Sequence, residues 1–149
     1  MGGRTTGERP NGERSVGSWG VGPLLLRLFL SFVLVYGTQD NVFDRGRMLE
    51  FADFLETNGF PWPLLSAHVS AYAQFVCGLL LLLGLFTRPA AFLMVVNFLV
   101  ALVMVHLGLS FDANIAPMAM LFGSLYFLVD GPGPISLDGW RARRREEAR

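Results

Sequence analysis

Residues 64–109 read LLSAHVSAYAQFVCGLLLLLGLFTRPAAFLMVVNFLVALVMVHLGL, and Arg88 is the only arginine, lysine or carboxylate among them. A helix that crosses hydrocarbon needs about 20 mostly apolar residues. Two such segments stand back to back here, about 63–86 and about 89–109, joined through Thr87-Arg88-Pro89. Neither alternates apolar with polar, so a barrel strand is not indicated. A backbone leaving water must then satisfy its polar groups as a helix.

Working outward, the same pattern recurs on both sides. Residues 21–39 form an earlier apolar run that contains Arg27, and residues 113–129 form a later one that contains Pro117. The chain is thus expected to be an all-α integral membrane bundle of four helices. Its 149 residues are 52% hydrophobic and only 16% charged, and the charges gather in the tails and one loop. Zero net charge argues against a nucleic-acid binder. One cysteine, Cys77, excludes an internal disulfide or a thiolate-rich metal site. All basic residues are arginine, so a lysine Schiff base or a P-loop lysine is excluded.

Residues 1–20 are polar and glycine-rich and read as a flexible tail. The apolar run that follows contains Arg27 and has no small-residue cleavage site after it, so it reads as a retained span rather than a signal peptide. Arginines 4, 9 and 14, Arg88, and the run from Arg141 to Arg149 must share one side if the chain crosses four times. The opposite side receives Asp40, Asp44, Glu50, Asp53, Glu56 and Asp112 against Arg45 and Arg47. The positive-inside rule then places both termini in the cytoplasm and residues 139–149 as a basic cytoplasmic tail.

The loop between the first two spans carries RMLEFADFLETNGF. Met48, Phe51, Ala52 and Leu55 recur at helical spacing, which predicts an amphipathic helix over about 45–57 lying on the outer surface. Asn58-Gly59 supplies its stop, and Trp62 is suited to the headgroup level.

Four segments together resemble the DoxX family of small bacterial four-span membrane proteins. They are LLLRLFLSFVLVYG in the first span, NGFPWP before the second, CGLLLLLGLFTRPAA at the tight turn, and GPGPISLD after the fourth. The resemblance covers about 21–138. Family members often carry a glutamate where this chain has Gln74, and a lysine near the place of Asp40. The resemblance implies a bacterial inner-membrane location and association with membrane redox systems that use thiosulfate and quinone.

Polar side chains in a bilayer are costly and each calls for a reason. Arg27 lies about six residues into its span, roughly 9 Å from the cytoplasmic end at 1.5 Å per residue. It is expected to snorkel, to pair with Asp130, or to meet an anion or quinone. Gln74 shares a face with Ala67, Ala71 and Gly78, a small-residue packing surface with a polar clasp, and Asn97 suits an interhelical hydrogen bond. Cys77 lies in apolar surroundings, where a thiol is inert.

A second set lies toward the outer side: Tyr36, Gln39 and Asp40 closing span one, His68 opening span two, His106 closing span three, and Asp112 opening span four. Topology brings these helix ends to one level. Three readings stand: groups facing interfacial water, a quinone headgroup pocket in which a histidine donates to a carbonyl, or a metal site, for which no tight ligand spacing speaks. No metal is assigned, and quinone is the only cofactor suggested.

The expected role is an accessory subunit of a membrane redox complex near the quinone pool rather than an enzyme acting alone. Its partners would be the lipid bilayer and another membrane or redox protein, or a second copy. A structural or assembly subunit would instead present its small-residue face to a neighbour. A small-solute transporter would need a polar path through the full thickness.

Overall fold

A computed structural model describes residues 16–148, which form helices and connecting turns with no strand among them. The expected flexible tail, with arginines 4, 9 and 14, lies outside the described residues up to 15. The helices are α1 (Val16–Phe43), α2 (Arg45–Thr57), α3 (Pro63–Leu83), α4 (Thr87–Met104), α5 (Phe111–Asp130) and α6 (Leu137–Glu147). Four of them contain segments long and apolar enough to cross a membrane: Gly20–Phe43, Pro63–Leu83, Thr87–Met104 and Phe111–Asp130. The chain is an all-α, multi-pass membrane bundle. Its outer faces bear large exposed apolar side chains such as Phe29, Phe32, Val76, Phe92, Leu99 and Phe122, as a lipid-facing surface requires.

Local chemistry sets the helix ends. Asp44 caps α2 by accepting from the backbone N–H of Gly46 at 2.7 Å. Asn58 and Gly59 close α2, with Gly59 at φ +77°. Pro63 opens α3 at a position where its missing N–H costs nothing. Gly84, at φ +65°, reverses the chain between α3 and α4. Pro117 sits inside α5 and leaves the carbonyl of Ala113 without its helical donor.

The bundle is two antiparallel helix pairs, α1 with α3 and α4 with α5. Gly78 lets α1 and α3 close up: a Cβ there would stand 2.9 Å from Leu34 Cβ and from Val35 Cγ2. The pairs are clamped at the end where α3 turns into α4. Leu30 of α1 meets Gly123 of α5 there, and Leu30, Leu81, Ala90 and Phe127 fill the core at 1% exposure or less. Toward the other end α1 and α5 have little contact. The helix α2 roofs that open end, packing Met48, Ala52 and Leu55 on Ala67 and Ala71 of α3. Ala67, Ala71 and Gly78 are all buried within the chain, so this face is not presented to a neighbour.

The segment after α5 folds back beneath the clamped end. Arg27, 3% exposed, donates from Nη1 to the carbonyl of Pro132 at 2.9 Å and from Nη2 to that of Ile135 at 2.8 Å. This takes the place of the expected pairing with Asp130, whose side chain is exposed. The turn at Gly131 (φ +80°) is the reason: it sends the chain inward past Asp130 and offers carbonyls to the guanidinium. Asp138 Oδ2 accepts from the backbone N–H of Thr87 at 3.0 Å and from its hydroxyl at 3.2 Å, capping α4 from a distant segment. Residues 139–147, within the expected basic tail, belong to α6, with the Arg144 guanidinium 4.0 Å above the Trp140 ring.

Candidate functional site

Between the two helix pairs, under α2, lies a cavity of about 690 Å³. That is the size of an ordinary small-molecule site. Its roof is Phe51, Phe54, Leu55 and Phe60. Its walls are Val33, Leu34 and Gly37 of α1, Val69 and Ala73 of α3, Val96 and Ala101 of α4, and Ala116, Pro117 and Met120 of α5.

The lining is mostly apolar, with a short polar chain at one wall. Gln74 Nε2 donates to Ser70 Oγ at 3.0 Å, and the Ser70 hydroxyl donates to Asn97 Oδ1 at 2.9 Å. This chain links α3 to α4 about one third to one half of the way along α3. It fixes the direction of Asn97: with its oxygen held by Ser70, its amide nitrogen is left to donate. No acceptor for that nitrogen is found among the described residues. His106 also lines the cavity, and its Nδ1 is buried without a hydrogen-bond partner among the described residues. The loop that carries His106 is tied down by Asn114, whose Nδ2 donates to the Ser110 carbonyl at 2.9 Å and approaches those of Leu109 and His106. Buried polar groups in an apolar setting are costly when unpaired. The arrangement therefore offers hydrogen-bond donors to an acceptor on an otherwise apolar guest.

The residues singled out in the sequence part company here. Gln74, Asn97 and His106 line the cavity. Tyr36 faces outward, stacked on Phe32 with ring centroids 5.5 Å apart. His68 is exposed, stacked on Tyr72, with its Nδ1 2.7 Å from the Leu64 carbonyl. It borders a shallow apolar depression beside Trp62 and Leu64 that lies open to the surroundings and encloses nothing. Asp40 and Asp112 are exposed, and Gln39 is half-buried without lining the cavity. Among the described residues no three His, Cys, Asp or Glu side chains come together to hold a metal ion. Arg27 and Asp130 belong to the clamped end, far from the cavity in the fold. Cys77 is buried in the apolar core.

Sequence reading missed Ser70, the bridge between Gln74 and Asn97. Its position four residues before Gln74 was the available signal, since i and i+4 share a helix face. The sequence places a pocket under the amphipathic helix on the strength of six helix-end residues, and of those only His106 lines the cavity.

The DoxX family model matches residues 22–107, more than half of the chain. The chain belongs to the DoxX family. The match spans α2 and most of the first three spans, and so most of the cavity lining. The α5 wall and the returning segment Gly131–Asp138 lie beyond it. No curated protein and no solved structure matches the chain.

Proposed function

We propose that this DoxX-family protein is a non-catalytic accessory subunit of a membrane redox complex, and that it holds a quinone or a closely similar lipid-soluble carbonyl compound in the cavity under α2. The observation that carries the reading is the pairing of an apolar cavity with the Gln74–Ser70–Asn97 chain and the unpartnered Nδ1 of His106. A quinone is apolar over its ring and tail and bears carbonyl oxygens that only accept. The Asn97 amide and the second Gln74 amide hydrogen are donors suited to them.

Two observations favour this reading over its rivals. The core at Leu30, Leu81, Ala90 and Phe127 closes the cavity toward the clamped end, which speaks against a polar path through the full thickness. The small-residue face that an assembly subunit would offer is already buried inside the chain. We further place the protein in the bacterial inner membrane, with Arg88 and the α6 arginines on the cytoplasmic side and α2 on the outer side, as the positive-inside rule favours.

The test is purification from native membranes in mild detergent, with co-purifying chains identified and lipid extracts analysed from the same fraction. The expected result is a redox protein in fixed ratio together with quinone. A homogeneous preparation of this chain alone, free of quinone, would overturn the reading.

A further inference from the structure

The cavity reading leaves open how a ligand reaches the site from the bilayer. The helix contacts single out one seam. The pairs α1/α3 and α4/α5 pack closely, and α3 is joined to α4 across the Ser70–Asn97 bond. Between α1 and α5 the close approach is at Leu30 and Gly123. The helices run antiparallel, so seven residues further along α1 and seven residues back along α5 bring Gly37 opposite Ala116. That is about 10 Å beyond the contact at 1.5 Å per residue. Both residues line the cavity and both are exposed. A Cβ built on Gly37 meets nothing within 4 Å. The opening is therefore bordered by the smallest side chain on one wall and a methyl group on the other, under the aromatic roof of α2.

We propose that the α1/α5 seam is a lateral portal: a lipid-soluble ligand with a carbonyl-bearing head and a long aliphatic tail passes between Gly37 and Ala116 from the bilayer. The head reaches the Asn97 and Gln74 amides while the tail stays among the lipid acyl chains. The inference rests on the cavity reading above and adds its route and the tailed class of ligand. A long polyisoprenoid tail exceeds a cavity of about 690 Å³, so it must leave through a wall. The α1/α5 wall is the one without a bridging hydrogen bond or close packing at that level.

The test uses the full chain in liposomes and two probes, a long-tailed polyprenyl benzoquinone and its tail-less methyl analogue. Retention of each is measured for the wild type, Gly37→Trp, Ala116→Trp, and Val100→Trp on the α4 wall of the cavity. Gly22→Trp, whose site is also open at the other end of α1, is the control for adding a bulky side chain. The expected result is a loss of roughly tenfold or more in affinity for the tailed probe in Gly37→Trp and Ala116→Trp, a change of about 1.4 kcal/mol. The tail-less probe, which needs no exit for a tail, keeps its equilibrium affinity in both, which also shows that they fold. Full retention of the tailed probe by both portal variants would overturn the portal. So would a loss confined to Val100→Trp, or an equal loss of both probes in Gly37→Trp and Ala116→Trp. Failure of the wild type to retain either probe would overturn the cavity reading itself, an outcome distinct from the others.

Discussion

The hydroxyl of Ser70 donates to Oδ1 of Asn97 at 2.9 Å, tying α3 to α4 and turning the Asn97 amide nitrogen free for a guest. Because Gln74 already donates to Ser70 Oγ, the serine has one proton to give and gives it to Asn97. Ser70→Ala removes this constraint without enlarging the lining. Retention of a bound quinone is expected to fall several-fold, within the ~0.5–1.5 kcal/mol of one neutral hydrogen bond. Thermal stability in detergent should change little, since such bonds in membrane bundles average about 0.6 kcal/mol. An unchanged binding isotherm would remove Ser70 from the account.

Arg27 holds the returning segment through two carbonyls, and no other side chain among the described residues donates to them. Arg27→Leu leaves both unpaired in a part-buried setting. The expected loss is about 2–4 kcal/mol, since each bond involves a charged donor. Arg27→Lys should recover only part of it, because an ammonium cannot span two carbonyls as the planar fork does. Thermal unfolding in detergent, with limited proteolysis of the segment after α5, checks both expectations.

Asp138 caps α4 from across the fold. Asp138→Ala is expected to cost about 0.5–2 kcal/mol and Asp138→Asn much less, because the amide oxygen still accepts. Comparing the two melting temperatures checks this. Equal losses would show that charge rather than capping matters at this site.

Two glycines separate backbone strain from crowding. Gly84 is at φ +65°, and a Cβ there would stand 2.7 Å from Arg27 Nη1 and from Ser136 Cβ. Gly108 is at φ +96° with nothing within 4 Å. Gly108→Ala should cost about 1–3 kcal/mol from conformation alone. Gly84→Ala should cost more, and should loosen the returning segment as Arg27→Leu does. Equal effects on stability would contradict the close packing at Gly84.

The all-α membrane fold was legible in the sequence because apolar runs of span length admit few structures. The site was legible only in part, and helical phase explains the division. Ala67 and Ala71 face the interior, so His68, one residue on, is turned about 100° away from it. Tyr36 shares the outward face of Phe29 and Phe32 rather than the face of Leu34. Placing both at the outer end of their helices was a statement about depth, and depth does not fix direction. The partner of Arg27 escaped for another reason. Its acceptors are backbone carbonyls, which no residue letter reveals, and they reach it only after the turn at Gly131. Three of the segments that resemble the family meet at that place: Arg27, Gly84 with Thr87, and Pro132 to Asp138. The extent of the cavity and most of its lining were not legible, since it is the space left where two helix pairs part.

The central claim is that the cavity beside Asn97 holds a quinone, and the most direct measurement is the amount of quinone extracted per chain from gently purified protein. Wild type is expected to carry near-stoichiometric quinone, and Asn97→Leu, which removes the donor and keeps the wall apolar, roughly tenfold less. No quinone in the wild type, or equal amounts in both proteins, would contradict the claim.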